Sequence, residues 1–443
     1  MRLDDLTLDY MDQASFAGLR ALGRGPCIQF LWIVPGPADV EAVKRLHARL
    51  AHTLIGRRIR RSSLPFGRHR WEYSEALGGL DIDATAMTGV DIVSWANANG
   101  ARPVDPEIGP TWNLAVRALT DGNHAIALSV SHSTADGTGI LDALRTALVD
   151  HVLVQRPAPG RETRAGLWRR DVGVIVRSTP DVVRALSAAV RTLRSTEARP
   201  RVKGKRTFAA PRVDPRQVVE QPVVIAVLDE GQVRARAAAL GGSVTDLGVG
   251  VSARLSELLG RVDDQGNVRV ILPISRRTDG DTRANALEST IVTIPTPVNS
   301  EDLSDIRRTL RQGIADVGPL IKDMGAALAF TPYTPKRLVR RLEVMALGPP
   351  NTAGLSNLGV LPDHVSSVGG TSASLVAFWV VESFTPAILE HFGGLLGVTT
   401  CSAGGTTTLT VRAWQPGIVT TRAHLAPLVT RALEDFGLHA RVI

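Results

Sequence analysis

His132 and Asp136 stand four residues apart in the string SHSTADGTG, which runs over residues 131–139, and both side chains can take part in proton chemistry. A neutral imidazole accepts a proton from a hydroxyl, amine or thiol near pH 7 and can hand it on. The carboxylate of Asp136 is too near in sequence to orient that ring from a distance. Its expected role is to hold the loop closed by pairing with a cation elsewhere in the chain, and an arginine suits it. Gly137 permits a tight turn and lets a long ligand pass close to the backbone. Ser133, Thr134 and Thr138 can satisfy loop amides. Taken alone, a histidine and an aspartate at this spacing describe a structural histidine as well as a base, so the elements around them decide.

Residues 125–130 (AIALSV) form an apolar run with no helical spacing, and the loop follows at once. From Gly139 onward Ile140, Leu141, Leu144, Leu148 and Val152 fall on one helical stripe. The pattern is strand, sharp loop, helix, with the histidine at the strand's end and the aspartate where the turn closes. Upstream, Trp112, Leu114 and Val116 alternate, and Asp121-Gly122 makes a hairpin turn into the histidine strand.

In that context SHSTADGTG resembles the HHxxxDG signature of the acyltransferases that use coenzyme A or carrier-protein thioesters. That superfamily includes chloramphenicol acetyltransferase, the condensation domains of nonribosomal peptide synthetases, polyketide-associated acyltransferases and the bacterial wax ester synthase / diacylglycerol acyltransferases. The first histidine of the doublet is Ser131 here, and the second, the family's base, is His132. Other stretches are similar in kind: LTLDYMDQASF at 6–16, Pro110-Thr111-Trp112 in place of a Pro-Leu-Trp element, and PISRR at 273–277 followed by Asn285, which resembles Pro-x-Ser-x-Arg…Asn. In the superfamily an arginine of that last element pairs with the motif aspartate. Counting from Pro273, Arg277 is expected to do so, with Arg276 in reserve. Ser356-Asn357-Leu358-Gly359 resembles a Ser-Asn-x-Gly element near the substrate passage; with Ser131, its Ser356 and Asn357 are candidates to contact a developing oxyanion or a pantetheine arm. A plain turn is the other reading of that stretch.

The resemblance implies an α/β fold of two chloramphenicol-acetyltransferase-like domains, a V-shaped pseudo-dimer around a central tunnel, with His132 near its middle and the two substrates entering from opposite faces. It implies transfer of an acyl group from a CoA or carrier-protein thioester to an acceptor hydroxyl, with His132 as general base, no permanently bound cofactor and no metal. The slant toward an ester rests on the 110–112 and 273–285 stretches. Amide formation between carrier-bound partners is the alternative, and the serine at position 131 leaves room for a non-catalytic carrier-protein platform.

Length and composition set the remaining bounds. A chain of 443 residues exceeds what one core usually serves. The expected division is a first domain over 1–195, a linker over 196–212 holding the basic run RPRVKGKR, and a second domain over 213–443. In the first half a buried strand is expected at 27–34. A helix capped by Asp39 should follow, with Val40, Val43, Leu46, Leu50 and Leu54 inward, and then a strand with a basic outer face drawn from the six arginines between 57 and 70, for which a docking surface for phosphate or a carrier protein is the other reading. In the second half the Ser356 stretch is followed by a strand at 375–381, a hairpin over 395–414 and a last helix over 423–436. The net charge of +8 comes with only 4% aromatic residues and no nucleic-acid motif; an anionic small ligand or acidic carrier accounts for the surplus without nucleic acid, and a plain bias toward arginine and alanine in composition accounts for it equally well. Cys27 and Cys401 have no metal or disulfide spacing, which fits a cytoplasmic setting, and the chain is expected to act as a monomer. No apolar run is long enough to span a bilayer, while contact with a membrane surface stays open. Gly-x-Ser-x-Gly, GxxxxGK[ST] and HExxH are all absent, which disfavours the hydrolase, nucleotide-triphosphatase and zincin designs they mark.

Overall fold

The computed structural model describes residues 6–23, 25–73, 78–150, 163–194, 218–339, 349–368 and 370–443. The expected linker at 196–212 and the basic run at 199–206 lie outside the described residues, as do Val152 and much of a helix expected at 335–345.

Two sheets carry the chain. The first has the strand order Leu375–Val381, Cys27–Val34, His124–Ser131, Trp112–Leu119, Gly79–Met87. Every residue of His124–Ser131 is buried, which explains why its sequence shows no alternation: a strand covered on both faces reads as a continuous apolar run. It is antiparallel to Cys27–Val34 on one side and to Trp112–Leu119 on the other, the latter joined through Gly122 at φ 85°. Phe30, Trp32, Leu128, Ile126, Leu46 and Leu144 fill the core on one face of this sheet, beneath the helices Val40–Leu50 and Gly137–Arg145.

The helix after Asp39 does not turn the whole expected stripe inward. Val43, Leu46, His47 and Leu50 are buried, whereas Val40 in its first turn is exposed and Leu54 falls in a separate short turn, Leu54–Gly56. The arginine run also departs from a basic outer face. In the small ribbon of Arg57–Arg60 and Arg70–Tyr73, Arg58 and Arg60 pair with Glu72 on the outside. Arg57 points in, fully buried, with its guanidinium 4.4 Å from the Trp71 ring. Strand alternation places it there, and the aromatic face with two backbone carbonyls as acceptors makes the burial tolerable.

The second sheet has the order Arg441–Val442, Val223–Asp229, Thr406–Trp414, Leu395–Ala403, Thr352–Val360, Asn267–Ser275, Leu287–Pro295. Helices Val244–Leu258, Ser304–Leu328 and Arg422–Asp435 contribute to its core, in which Val249, Leu255, Val270, Leu355, Val411 and Phe436 meet. Val244–Leu258 starts with a reciprocal cap, Ser243 and Asp246 each satisfying the other's backbone. The Ser356 stretch, for which a turn was one reading, is a strand. Its register shifts between Asn357 and Gly359, where Gly359 takes φ 66°.

The strand Leu375–Val381 lies far along the chain yet completes the first sheet, pairing with Cys27–Val34 over seven positions. It also joins the two sheets. Thr408 Oγ1 donates to Val376 O at 2.8 Å, and Thr399 Oγ1 donates to Phe378 O. Cys401 and Ala403 from the second sheet pack into the first sheet's core. Among the described residues no helix is long and apolar enough to cross a membrane.

Candidate functional site

His132 is the first residue beyond the strand His124–Ser131, and its backbone N–H donates to Pro26 O at 2.9 Å. The sheet therefore fixes its Cα. Its ring is fixed by Asn285. His132 Nδ1 lies 2.9 Å from Asn285 Oδ1, and Asn285 Nδ2 donates to His132 O at 3.0 Å. The second bond decides the first. With its NH2 committed to a carbonyl, the amide presents oxygen to Nδ1, so Nδ1 carries the proton and Nε2 keeps the free lone pair. This is the tautomer a general base requires.

Asn285 is held in turn by a residue that sequence reasoning did not single out. Asp12 is buried in the helix Tyr10–Leu22, and its two oxygens accept from Asn285 N at 2.8 Å and Ala284 N at 2.9 Å. Burial raises its pKa to about 6, and the two backbone donors and the nearby Arg57 oppose that rise. An aspartate in a first helical turn reads as a dipole or capping group. Only the approach of the 284–285 turn makes it a clamp, and no local signal could have shown that.

Asp136 caps the helix Gly137–Arg145. Its Oδ1 accepts from Gly139 N at 2.7 Å, Thr138 Oγ1 at 3.0 Å and Arg277 Nη2 at 2.9 Å, while Oδ2 accepts from Ala286 N at 2.8 Å. Arg277 extends the clasp to the carbonyls of Asp281, Arg283 and Ala284. The pair is almost fully withdrawn from water, with side-chain exposures of 5% for Arg277 and 0% for Asp136. Arg276, one residue away, points outward to Glu288 and takes no part. Gly137 opens the helix with its Cα beside Leu358 and is not among the glycines with positive φ. The glycine whose missing side chain the clasp needs is Gly139: a Cβ there would lie 3.0 Å from Arg277 Nη2 and 3.2 Å from Asp136 Oδ1.

His132 forms part of the wall of a cavity of about 320 Å³ at the joint between the sheets. Pro26 lies beside it, Trp379 and Val380 come from the inserted strand, and Gly354, Ser356 and Leu396 come from the second sheet. Of the three polar residues expected near the reacting group, only Ser356 reaches this wall. Asn357 is turned aside: its Nδ2 donates to Thr245 Oγ1 at 3.0 Å and its Oδ1 accepts from Gly359 N at 2.7 Å, which closes the bulge. Ser131 is buried within the first sheet, opposite Cys27, and does not line the cavity. Strand alternation accounts for the split, since Ser356 and Asn357 are neighbours and face opposite sides. A larger cavity, about 1050 Å³, is lined by Asp9, Asp12, Arg68, Trp71, Arg177 and residues 278–283. The hydrogen-bonded series Asp12–Asn285–His132 thus begins at one cavity and ends at the other.

No family model matches the chain, and no curated protein matches it in sequence. Solved structures do match in three dimensions. The wax ester synthase/diacylglycerol acyltransferase from Marinobacter aquaeolei VT8 superposes with a TM-score of 0.55 at 15% identity, covering 97% of this chain and 98% of that one. The first condensation domain of the CDA synthetase gives 0.56 at 16% identity over 98% and 96%. The Fusarium sporotrichioides protein TRI101, complexed with coenzyme A and T-2, gives 0.59 at 13% identity over 99% of both chains. The chain therefore has the mixed α/β fold of two chloramphenicol-acetyltransferase-like halves that these proteins share, over nearly its whole length.

Proposed function

We propose that the protein transfers an acyl group from a thioester of coenzyme A or of a carrier protein's phosphopantetheine to an acceptor hydroxyl, with His132 as the general base. The observation that carries this reading is the locked tautomer: Asn285 holds Nδ1 and leaves Nε2 as the basic nitrogen of a ring that lines a cavity. Nε2 removes the hydroxyl proton as the oxygen attacks the thioester carbon. The carbonyl oxygen takes up negative charge, and Ser356 on the same wall is the hydroxyl available to donate to it. The C–S bond then breaks, and the thiolate recovers the proton from the imidazolium. No covalent bond to the protein forms. A positioned base contributes roughly 10²–10⁴-fold, and alignment of the two substrates supplies much of the remainder.

Asp136 and Arg277 do not touch the reacting atoms in this scheme; they fasten the 284–286 turn that carries Asn285. The thioester donor is a substrate, released as thiol after each turnover. The fold is shared by ester-forming and amide-forming proteins, so the test sets a matched alcohol and amine against one acyl thioester and follows thiol release. Faster release with the alcohol is expected. Release with the amine alone would move the protein to the amide-forming reaction, and no release with either would end the proposal.

A further inference from the structure

Arg261 is a buried cation without an anion. It follows the helix Val244–Leu258 and is 1% exposed. Its Nη1 donates to Gly393 O at 2.7 Å and Gln415 Oε1 at 3.0 Å, and its Nη2 donates to Thr352 O at 3.2 Å. All three acceptors are neutral. Its Nε, also buried, has no hydrogen-bond partner, and no carboxylate pairs with it among the described residues. Burial lowers its pKa to about 10, which leaves it charged at neutral pH.

A guanidinium removed from water and given only neutral acceptors is costly, and buried charges in folded proteins are ordinarily paired. The contrast lies on the same cavity wall. Arg412 is also buried, though less completely at 7% exposed, and it is paired with Glu382. Arg261 thus gives the cavity that holds His132 one positive charge with no counterpart. The surroundings are otherwise largely apolar, with Phe384, Leu389 and Leu396 among the lining side chains. A volume of about 320 Å³ suits a small molecule and falls well short of a whole coenzyme A, whose several phosphate charges would face a single guanidinium.

We propose that this cavity binds a small, mainly apolar acceptor that carries one carboxylate, with Arg261 as its counter-ion and the acceptor's hydroxyl set beside His132. The carboxylate site stands on the cavity alone; the role of the hydroxyl rests on the acyl-transfer reading. The acceptor class is therefore a medium-chain hydroxy acid rather than a neutral alcohol.

The test is a calorimetric titration of the full chain with 3-hydroxyoctanoate and with its methyl ester, which needs no turnover. A charge-assisted contact in a desolvated site is expected to favour the acid by about 10- to 100-fold. In Arg261→Gln, checked for an unchanged melting curve, the two affinities should come within about threefold of each other. Equal affinities in the unaltered protein overturn the proposal without recourse to a variant. Should Arg261→Gln weaken coenzyme A and leave the hydroxy acid untouched, the guanidinium reads a donor phosphate and the assignment is wrong. Acid binding that depends on Arg261, with no ester formed, would refute acyl transfer and leave the carboxylate site standing. Ester formation on neutral alcohols with no preference for the acid would do the reverse.

Discussion

Replacing Asp136 puts the closure of the loop that follows His132 to a quantitative test. The carboxylate accepts four hydrogen bonds, three at Oδ1 and one at Oδ2, from three separate parts of the chain. In Asp136→Ala all four donors lose their acceptor, and the Arg277 guanidinium is left in a dry site with carbonyls alone. Removing one partner of a buried pair costs about 3–5 kcal/mol. Asp136→Asn should be milder in a specific way. Its NH2 group settles at the Oδ2 position, because there it opposes one donor, Ala286 N, instead of three. The expected cost is about 2–3 kcal/mol, being the loss of a charge partner and of one backbone bond. In Asp136→Ala/Arg277→Ala no charge is stranded, so the double variant should be no less stable than Asp136→Ala, a coupling of about 2 kcal/mol or more. Thermal melts give the order of the variants. Hydrogen exchange at Gly139 and Ala286, whose amides bond this carboxylate directly, locates the loss. Melting unchanged in Asp136→Ala, or additive effects in the double variant, would refute the reasoning.

Other outcomes follow from the same geometry. Arg276→Ala should change stability by less than about 1 kcal/mol and leave turnover alone, since its bond to Glu288 is exposed; a melting curve and a rate suffice. Gly139→Ala should cost about 1–3 kcal/mol in a melt, because its Cβ must displace the guanidinium, whereas Gly137→Ala meets only the movable end of Leu358 and should cost less. Asn285→Ala frees the His132 ring to take either tautomer and should lower kcat by roughly 10- to 100-fold with the fold intact by circular dichroism. Asp12 has a folded-state pKa of about 6, above the ordinary aspartate value, so the folded chain binds its proton more tightly than the unfolded chain does. The contribution of Asp12 to stability therefore falls as pH rises through the window from about 4 to about 6. The difference in stability between the parent and Asp12→Asn, followed across that window, should show that slope and be flat above it.

What the sequence disclosed and what it withheld divide along one physical line. The hairpin into His124–Ser131, the histidine at its end and the helix that follows the Asp136 turn are local, set by apolar runs, one Asp-Gly turn and one helical stripe. The hairpin Leu395–Ala403/Thr406–Trp414 was legible for the same reason. What depends on distant approach was not. Nothing in residues 375–381 says that they leave the second half of the chain to complete the first sheet, because an apolar strand is compatible with either. Arg57 looks like its exposed neighbours until Trp71 closes over it. Asp12, 273 residues from Asn285, shows its role only once the turn arrives. In sequence Ser356 and Asn357 are equivalent as a pair of short polar groups; strand alternation with a bulge sends one to the cavity and the other to Thr245.

The most direct measurement is turnover of an acyl thioester by His132→Ala, with an alcohol acceptor and a melting curve matched to the parent. A loss of roughly 10²- to 10⁴-fold is expected, since the substitution removes the base and leaves the clasp that positions it. A variant that folds as the parent does and turns over at the parent's rate would contradict the account at its centre.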